Sequence, residues 1–146
     1  MTKSELFYKL HRVDDLDAAL RVVRIKIERL ESCLQGHAIR YDQAHVQTSP
    51  EDHVAKIMGD LEGLLKREKK LQIELTRAVT ETADLIDKLQ RADLGEKLRG
   101  AKTCLLMHYR YTACLQWGDI AAKMGYTERH CFRIHDAAID WLSKNT

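Results

Sequence analysis

The chain has 146 residues, enough for one domain or for a small domain with a helical extension. Its single proline, seven glycines and 32% of charged residues predict an all-α protein with long helices and little turn chemistry for a sheet. No uncharged apolar segment reaches the roughly 18 residues of a membrane span, and no signal-peptide core is recognisable. We therefore expect a soluble, cytoplasmic protein with no membrane partner.

The first amphipathic segment runs from Val13 to Leu34. Its apolar residues alternate steps of three and four, which is the spacing of a heptad seam on a helix. Gly36 predicts the end of this helix, and the loss of periodicity over residues 37–48 predicts a loop. Residues 4–11 are compatible with either a short helical turn or a frayed end.

The second helix is predicted to start at Ser49-Pro50 and to run to about Gln90, because a capping serine precedes a proline and two acids. At about 1.5 Å per residue, the first helix would span roughly 35 Å and the second roughly 60 Å. Folded back as an antiparallel pair, the shorter helix would leave part of the longer apolar seam uncovered. The uncovered part must meet either the C-terminal domain or another chain. Residues 1–91 are therefore predicted to form a long, coiled-coil-like helical hairpin, and the hypothesis is that it self-associates as a homo-oligomer.

Residues 92–146 are predicted to form a C-terminal helix-turn-helix domain. The run Ala92-Asp93-Leu94-Gly95 predicts a break, with Asp93 as a candidate helix cap. A support helix should follow, carrying Leu98 and with Gly100 inside it.

The helix-turn-helix pattern itself lies between Leu115 and Leu142. Ile120, Ala121 and Met124 have the spacing of a first short helix, and Gly125 permits the left-handed backbone that ends it. Thr127 is the predicted N-cap of the next helix. We expect a buried stripe on that second helix and two tryptophan core anchors: the stripe residues are Cys131, Ile134, Ala138 and Trp141, and the anchors are Trp117 and Trp141.

The second helix of such a unit is the one that enters a major groove. Arg129 and Arg133 can bind a guanine edge or a phosphate, or simply form a surface salt bridge with Asp136. Glu128 can accept from a cytosine amino group or merely favour the helix N-terminus, and His130 can add a phosphate contact. The predicted partner is double-stranded DNA, and the candidate DNA-binding residues are Thr127, Glu128, Arg129, His130, Phe132, Arg133 and Asp136.

Other chemistry is weakly indicated. The chain has no phosphate-binding loop, no metalloprotease motif and no glycine-flanked nucleophilic serine, so we predict neither an enzyme nor a cofactor. The four cysteines are expected to be reduced thiols. Two Cys-x-x-x-His pairs, Cys104/His108 and Cys131/His135, contain zinc-type ligands, but their spacing is not that of a zinc finger, and no metal is predicted.

Four runs within Leu105–Leu142 carry a family resemblance: Leu105–Tyr111 (LLMHYRY), Trp117–Ala121 (WGDIA), Met124–His130 (MGYTERH) and Phe132–His135 (FRIH). They resemble small phage-encoded proteins that are similar to sigma-factor region 4 and to the RinA/ArpU-type phage late-gene regulators. The resemblance implies that residues 127–136 face DNA and that the protein controls transcription of phage or prophage genes. The chain departs from this pattern at Asp136 and Ala137, where such proteins are often small or basic, and at Cys131, which replaces a branched apolar residue.

Two alternatives remain open at this point. A formal net charge of +2 is low for a protein held mainly by phosphates. The same helical face would also suit an interaction module that contacts RNA polymerase or a phage packaging protein. A purely structural coiled coil is the third interpretation, and it leaves the C-terminal pattern unexplained.

Overall fold

A computed structural model describes residues 1–40, 50–95 and 98–146 of the chain. Over these residues the protein is helical and contains no strand, which confirms the all-α prediction. The elements in order are α1 (Lys3–Arg40), α2 (Pro50–Asp87), a 3-10 helix (Lys88–Arg91), α3 (Gly100–Tyr111), α4 (Trp117–Met124) and α5 (Glu128–Asn145). None of the described helices is both long enough and apolar enough to cross a membrane.

The first helix is longer than the sequence pattern predicted. A capping box starts it at Lys3: Thr2 Oγ1 accepts from the Glu5 N–H at 3.2 Å, and Glu5 Oε2 accepts from the Thr2 N–H at 2.9 Å. The helix also passes through Gly36, so the predictions that Gly36 ends it and that residues 37–40 are loop were wrong. A glycine inside a helix costs only about 1 kcal/mol, which a long helix can tolerate. The rest of the predicted loop, residues 41–48, lies outside the described residues.

The two long helices are equal in length, with 38 residues each. The expectation of one short and one long helix was therefore wrong. Helices of equal length leave no seam uncovered through a difference in length, so this feature gives no reason for self-association.

The chain divides into two compact units, of which one comprises residues 16–74. In this unit α1 and α2 pack as an antiparallel pair, and the guanidinium Nε of Arg24 lies 3.9 Å from Glu68 Oε2. Part of the predicted seam is buried in each helix, as at Val23, Ile27 and Leu71, whereas Val54 near the start of α2 is 37% exposed. The predicted helical hairpin is present here, because a three-four spacing places one apolar stripe along each helix.

The other unit comprises residues 1–15 and 75–146. Its α3 packs against α4, α5 and the 3-10 helix. Fully buried aliphatic residues throughout this unit form one apolar core, among them Leu10 of α1, Ile86 of α2, Leu106 of α3 and Leu142 of α5. Whether residues 92–146 fold as a domain by themselves stays a prediction.

The junction before α3 differs from the predicted one. Asp93 caps a turn instead of a helix, since its Oδ1 accepts from the Gly95 N–H at 3.1 Å. The helix starts at Gly100, so Leu98 precedes it and Gly100 is its first residue. A Cβ atom at Gly100 would lie 2.6 Å from the Leu89 carbonyl oxygen. Glycine therefore allows α3 to start directly against the 3-10 helix.

Candidate nucleic-acid interface

The turn between α4 and α5 has the predicted helix-turn-helix geometry. Gly125 adopts the left-handed conformation, with φ 70° and ψ 28°, and its N–H donates to the Ala121 carbonyl. Thr127 then caps α5, because its side-chain oxygen accepts from the His130 N–H at 3.2 Å. The turn and the cap fix the angle at which α5 leaves α4.

The inner face of α5 is buried much as predicted. Cys131, Ile134 and Ala138 are at most 2% exposed. Trp141 is only half-buried, and the fully buried residue at this end of the helix is Leu142. The prediction that Trp141 belongs to the buried stripe was therefore wrong, although its ring packs against the core from the edge.

A buried histidine on the inner face was not predicted. His135 is 8% exposed, and its Nε2 lies 2.6 Å from the Tyr111 hydroxyl. Burial lowers the pKa of His135, although a hydrogen bond with Asp136 at 3.4 Å opposes the shift. Burial likewise raises the pKa of Tyr111 to about 12. The arrangement fits a neutral imidazole that accepts from the tyrosine O–H and donates from Nδ1, and it ties α5 to α3.

The outer face of α5 carries four of the candidate DNA-binding residues. Arg129, Phe132, Arg133 and Asp136 are all exposed and have the i, i+3, i+4, i+7 spacing of a single helical stripe. Neither arginine forms an ion pair with any residue that the structure describes, so the salt bridges with Asp136 considered above are not formed. Both guanidinium groups are thus available to a ligand in solvent.

An aromatic pair lies beside this stripe. The Phe132 ring is 42% exposed and meets the ring of Trp117 edge-on, at 4.9 Å between centroids. Trp117 is only partly buried, and the guanidinium of Arg110 lies 5.1 Å from its ring centroid. Trp117 thus packs at the edge of the core and supports the exposed face instead of filling the interior.

The remaining two candidates lie away from the stripe. The Oε1 atom of Glu128 would be 3.3 Å from a Cβ atom at Gly118, so the carboxylate leans toward the first turn of α4, where the helix dipole favours it. His130 is half-buried and packs edge-on against Tyr126, at 4.7 Å between ring centroids.

His130 opens onto a cleft of about 170 Å³ that the sequence did not reveal. The cleft is also lined by Arg99 and Lys102, from the beginning of α3. Both residues were recognisable in the sequence as basic. Their proximity to His130 depends on the packing of α3 against α5, for which the sequence carried no signal.

Comparison with known proteins assigns no family. No protein-family model matches the chain, and no curated protein or solved structure matches it significantly. The resemblance to phage regulators therefore stays a prediction that depends on the residues quoted above.

Proposed function

We propose that the protein is a phage-type DNA-binding transcriptional regulator that acts in the cytoplasm of a bacterial host and reads the major groove with α5. The observation that carries this proposal is the exposed pair Arg129 and Arg133, one turn apart on the outer face of a capped helix. Arginine presents a planar fork of donors that matches a guanine edge or a phosphate. No acidic side chain among the described residues forms an ion pair with the guanidinium group of either arginine.

The charge distribution on α5 defines how such a helix would approach DNA. The two arginines lie in its first two turns, whereas Asp136 follows one turn later with an 80% exposed side chain. Because phosphates repel a carboxylate, the amino-terminal half of α5 should make the close contacts. His130, with Arg99 and Lys102 nearby, would meet the backbone on the side facing α3.

The test is a binding titration by fluorescence anisotropy on DNA surrounding the protein's own coding region. If the arginines contact base edges, Arg129→Ala and Arg133→Ala should each weaken specific binding by roughly 5- to 150-fold. If they contact phosphates instead, each variant should lower the slope of log K against log salt by about one. Circular dichroism should show unchanged helicity.

Arg77→Ala is the matched control, because Arg77 is an exposed arginine on α2 and does not belong to the outer face of α5. It should bind DNA as the wild type does. Unaltered affinity and salt slope in both α5 variants would show that this face does not bind DNA.

A protein-binding function is the second candidate, and the exposed Phe132 beside Trp117 favours it. Aromatic residues flanked by arginine are typical of the centres of protein interfaces. The partner in this case would be RNA polymerase or a phage packaging protein. Phe132→Ala would then abolish binding to the protein partner, and that binding would depend only weakly on salt, whereas DNA binding through several phosphates weakens steeply.

Self-association is proposed separately, from a groove of about 710 Å³ in the unit of residues 16–74. On α2 its wall contains Gly59 and Gly63, where an added Cβ atom would meet nothing within 4 Å. On α1 its rim carries Ile25, which is 58% exposed. A flat glycine surface and a protruding isoleucine are complementary in shape.

The charges around this groove are complementary as well. Lys26 and Arg29 line it from α1, and Asp60 lines it from α2. None of the three forms an ion pair with a described residue of its own chain. A second copy, related by a twofold axis parallel to the helices, would lay its Ile25 over the glycines and its two cations beside Asp60. We therefore propose a homodimer through this groove.

Ile25→Lys should break the dimer, because it places a charge in the apolar contact. Met58→Lys is the control, since Met58 is similarly exposed, at 52%, but does not line the groove. Light scattering at micromolar concentration should give two chains for the wild type and the control, and one for Ile25→Lys. A wild-type mass of one chain, or a dimer that survives Ile25→Lys, contradicts the proposal, and neither result affects the DNA-binding proposal.

A further inference from the structure

Three potential metal ligands meet where α2 ends beside α3. Asp87 is the last residue of α2, and Cys104 and His108 lie one turn apart on α3. One ligand atom from each residue, a carboxylate oxygen, the thiol sulfur and an imidazole nitrogen, lies within 4.8 Å of the other two. Within the described residues this is the only such group of three. It lies outside the outer face of α5 and is independent of the proposed function.

The cluster differs from a zinc site formed by the two Cys-x-x-x-His pairs of the sequence. Cys131 and His135 do not join Cys104 and His108, because Cys131 is fully buried in the core and His135 is hydrogen-bonded to Tyr111. Asp87, which is 17 residues from Cys104 and 21 residues from His108 in the chain, supplies the third ligand instead. Only the packing of α3 against the end of α2 reveals it.

The two distances from the Asp87 carboxylate are close to the edges of a tetrahedral centre. Asp87 Oδ1 lies 2.8 Å from His108 Nε2 and 3.8 Å from Cys104 Sγ. With metal–ligand bonds of roughly 2.0–2.3 Å, the corresponding edges of a tetrahedron are roughly 3.3 and 3.5 Å. The sulfur and the imidazole nitrogen lie within 4.8 Å of each other, against roughly 3.6 Å for that edge of the tetrahedron. Side-chain adjustments of up to about 1 Å would therefore bring the three atoms around one ion.

The surroundings suit a bound ion. His108 Nδ1 lies 3.0 Å from Thr112 Oγ1, a contact that holds the ring so that Nε2 faces the other two ligands. Cys104 is 3% exposed, whereas the carboxylate of Asp87 is 63% exposed, so the site is closed on the sulfur side and open to water on the other.

The chemical types of the three ligand atoms indicate which class of metal ion the site would bind. The Cys104 thiol is protonated at neutral pH, because burial and the neighbouring Asp87 raise its pKa to about 11. Binding would therefore release the thiol proton and place a dication beside a thiolate and a carboxylate, whose charges it neutralises. A sulfur, a nitrogen and an oxygen together favour a zinc-like ion over magnesium or calcium, which prefer oxygen alone.

We propose that Asp87, Cys104 and His108 bind one divalent transition-metal ion of the zinc class, with the fourth position open to water. The ion would link the end of α2 to α3, where the hydrogen bond between His108 Nε2 and Asp87 Oδ1 at 2.8 Å now makes the connection. Three protein ligands and one open position is also the pattern of zinc sites that exchange a water or ligand.

The test is a titration of the reduced full-length protein with Co²⁺ alone, followed by visible and near-ultraviolet absorption. We expect one ion per chain, the intense thiolate-to-cobalt charge-transfer band of sulfur coordination, and loss of the spectrum when Zn²⁺ is added. Cys104→Ser should remove the charge-transfer band. His108→Gln and Asp87→Asn should weaken Co²⁺ binding by at least about tenfold.

Cys33→Ser is the matched control, because Cys33 is an exposed free thiol on α1, outside the cluster. It should leave the cobalt spectrum unchanged. His108→Gln and Asp87→Asn alter partly exposed residues, so they keep the proposal testable even if Cys104→Ser fails to fold. Absence of a charge-transfer band in the wild type, or an undiminished Co²⁺ affinity in both of these variants, would overturn it.

Discussion

Gly100→Ala should destabilise the protein, although alanine is the better helix former. A Cβ atom at this position would lie 2.6 Å from the carbonyl oxygen of Leu89, 3.0 Å from that of Gln90 and 3.1 Å from that of Ala92. All three are backbone atoms, which cannot rotate away as the end of a side chain can. Relief of the clash therefore requires α3 to move away from the 3-10 helix.

Overpacking of this kind costs about 1–3 kcal/mol. The intrinsic helical preference for alanine recovers less than about 1 kcal/mol, because Gly100 is only the first residue of the helix. We expect a net loss of about 1–2 kcal/mol, which corresponds to a melting temperature lower by roughly 3–8 °C for a chain of this size.

Urea unfolding followed by tryptophan fluorescence is the appropriate assay, because Trp117 and Trp141 both lie in the same compact unit as Gly100. Gly118→Ala is the control. The nearest atom to its added Cβ, at 3.3 Å, is the flexible end of the Glu128 side chain, so this variant should be neutral or slightly stabilising. If Gly100→Ala were as stable as Gly118→Ala, the contact between α3 and the 3-10 helix would not be a determinant of this fold.

Three further predictions concern the connections of α5. Tyr111→Phe leaves the Nε2 atom of buried His135 without its 2.6 Å partner, and urea unfolding should show a loss of about 1–3 kcal/mol; an unchanged midpoint would contradict this. Because burial holds the pKa of His135 below its ordinary value of 6.5, the unfolded chain takes up the proton more readily. The stabilisation from neutral His135 should be complete above pH 6.5 and lost as the pH falls through the lowered pKa, and His135→Gln should show a smaller loss between pH 6.5 and 5 than the wild type. Thr127→Ala removes the acceptor for the His130 N–H and should cost about 1 kcal/mol in thermal unfolding, whereas Thr127→Ser should retain most of the stability.

The predictions that depend only on residues close together in the chain were confirmed for the turn between α4 and α5. A left-handed turn at Gly125 needs no distant partner, because only glycine adopts that conformation without a steric cost. The cap at Thr127 likewise involves a backbone group three residues away. The prediction that α1 ends at Gly36 was wrong, because the free-energy cost of a glycine inside a helix is small when the stability of that helix comes mostly from packing.

The positions of side chains around α5 required the tertiary structure. His135 belongs to the core because Tyr111, on another helix, provides a hydrogen bond that offsets the burial of its imidazole. Trp117 lies at the edge of the core, where it supports the exposed ring of Phe132. No spacing along the chain encodes either relation.

The helical class, the apolar seams and the turn between α4 and α5 follow from the order of the residues alone, because each arises from the periodicity or backbone preference of neighbouring residues. The packing of the helices was needed to show that Asp87 joins Cys104 and His108, and that Arg99 and Lys102 share a cleft with His130. These residues are far apart in the chain, and their meeting depends on how α3 packs against the end of α2 and against α5. That packing is a global property, since it is set by the shape of the whole core and by the space that Gly100 leaves for close approach.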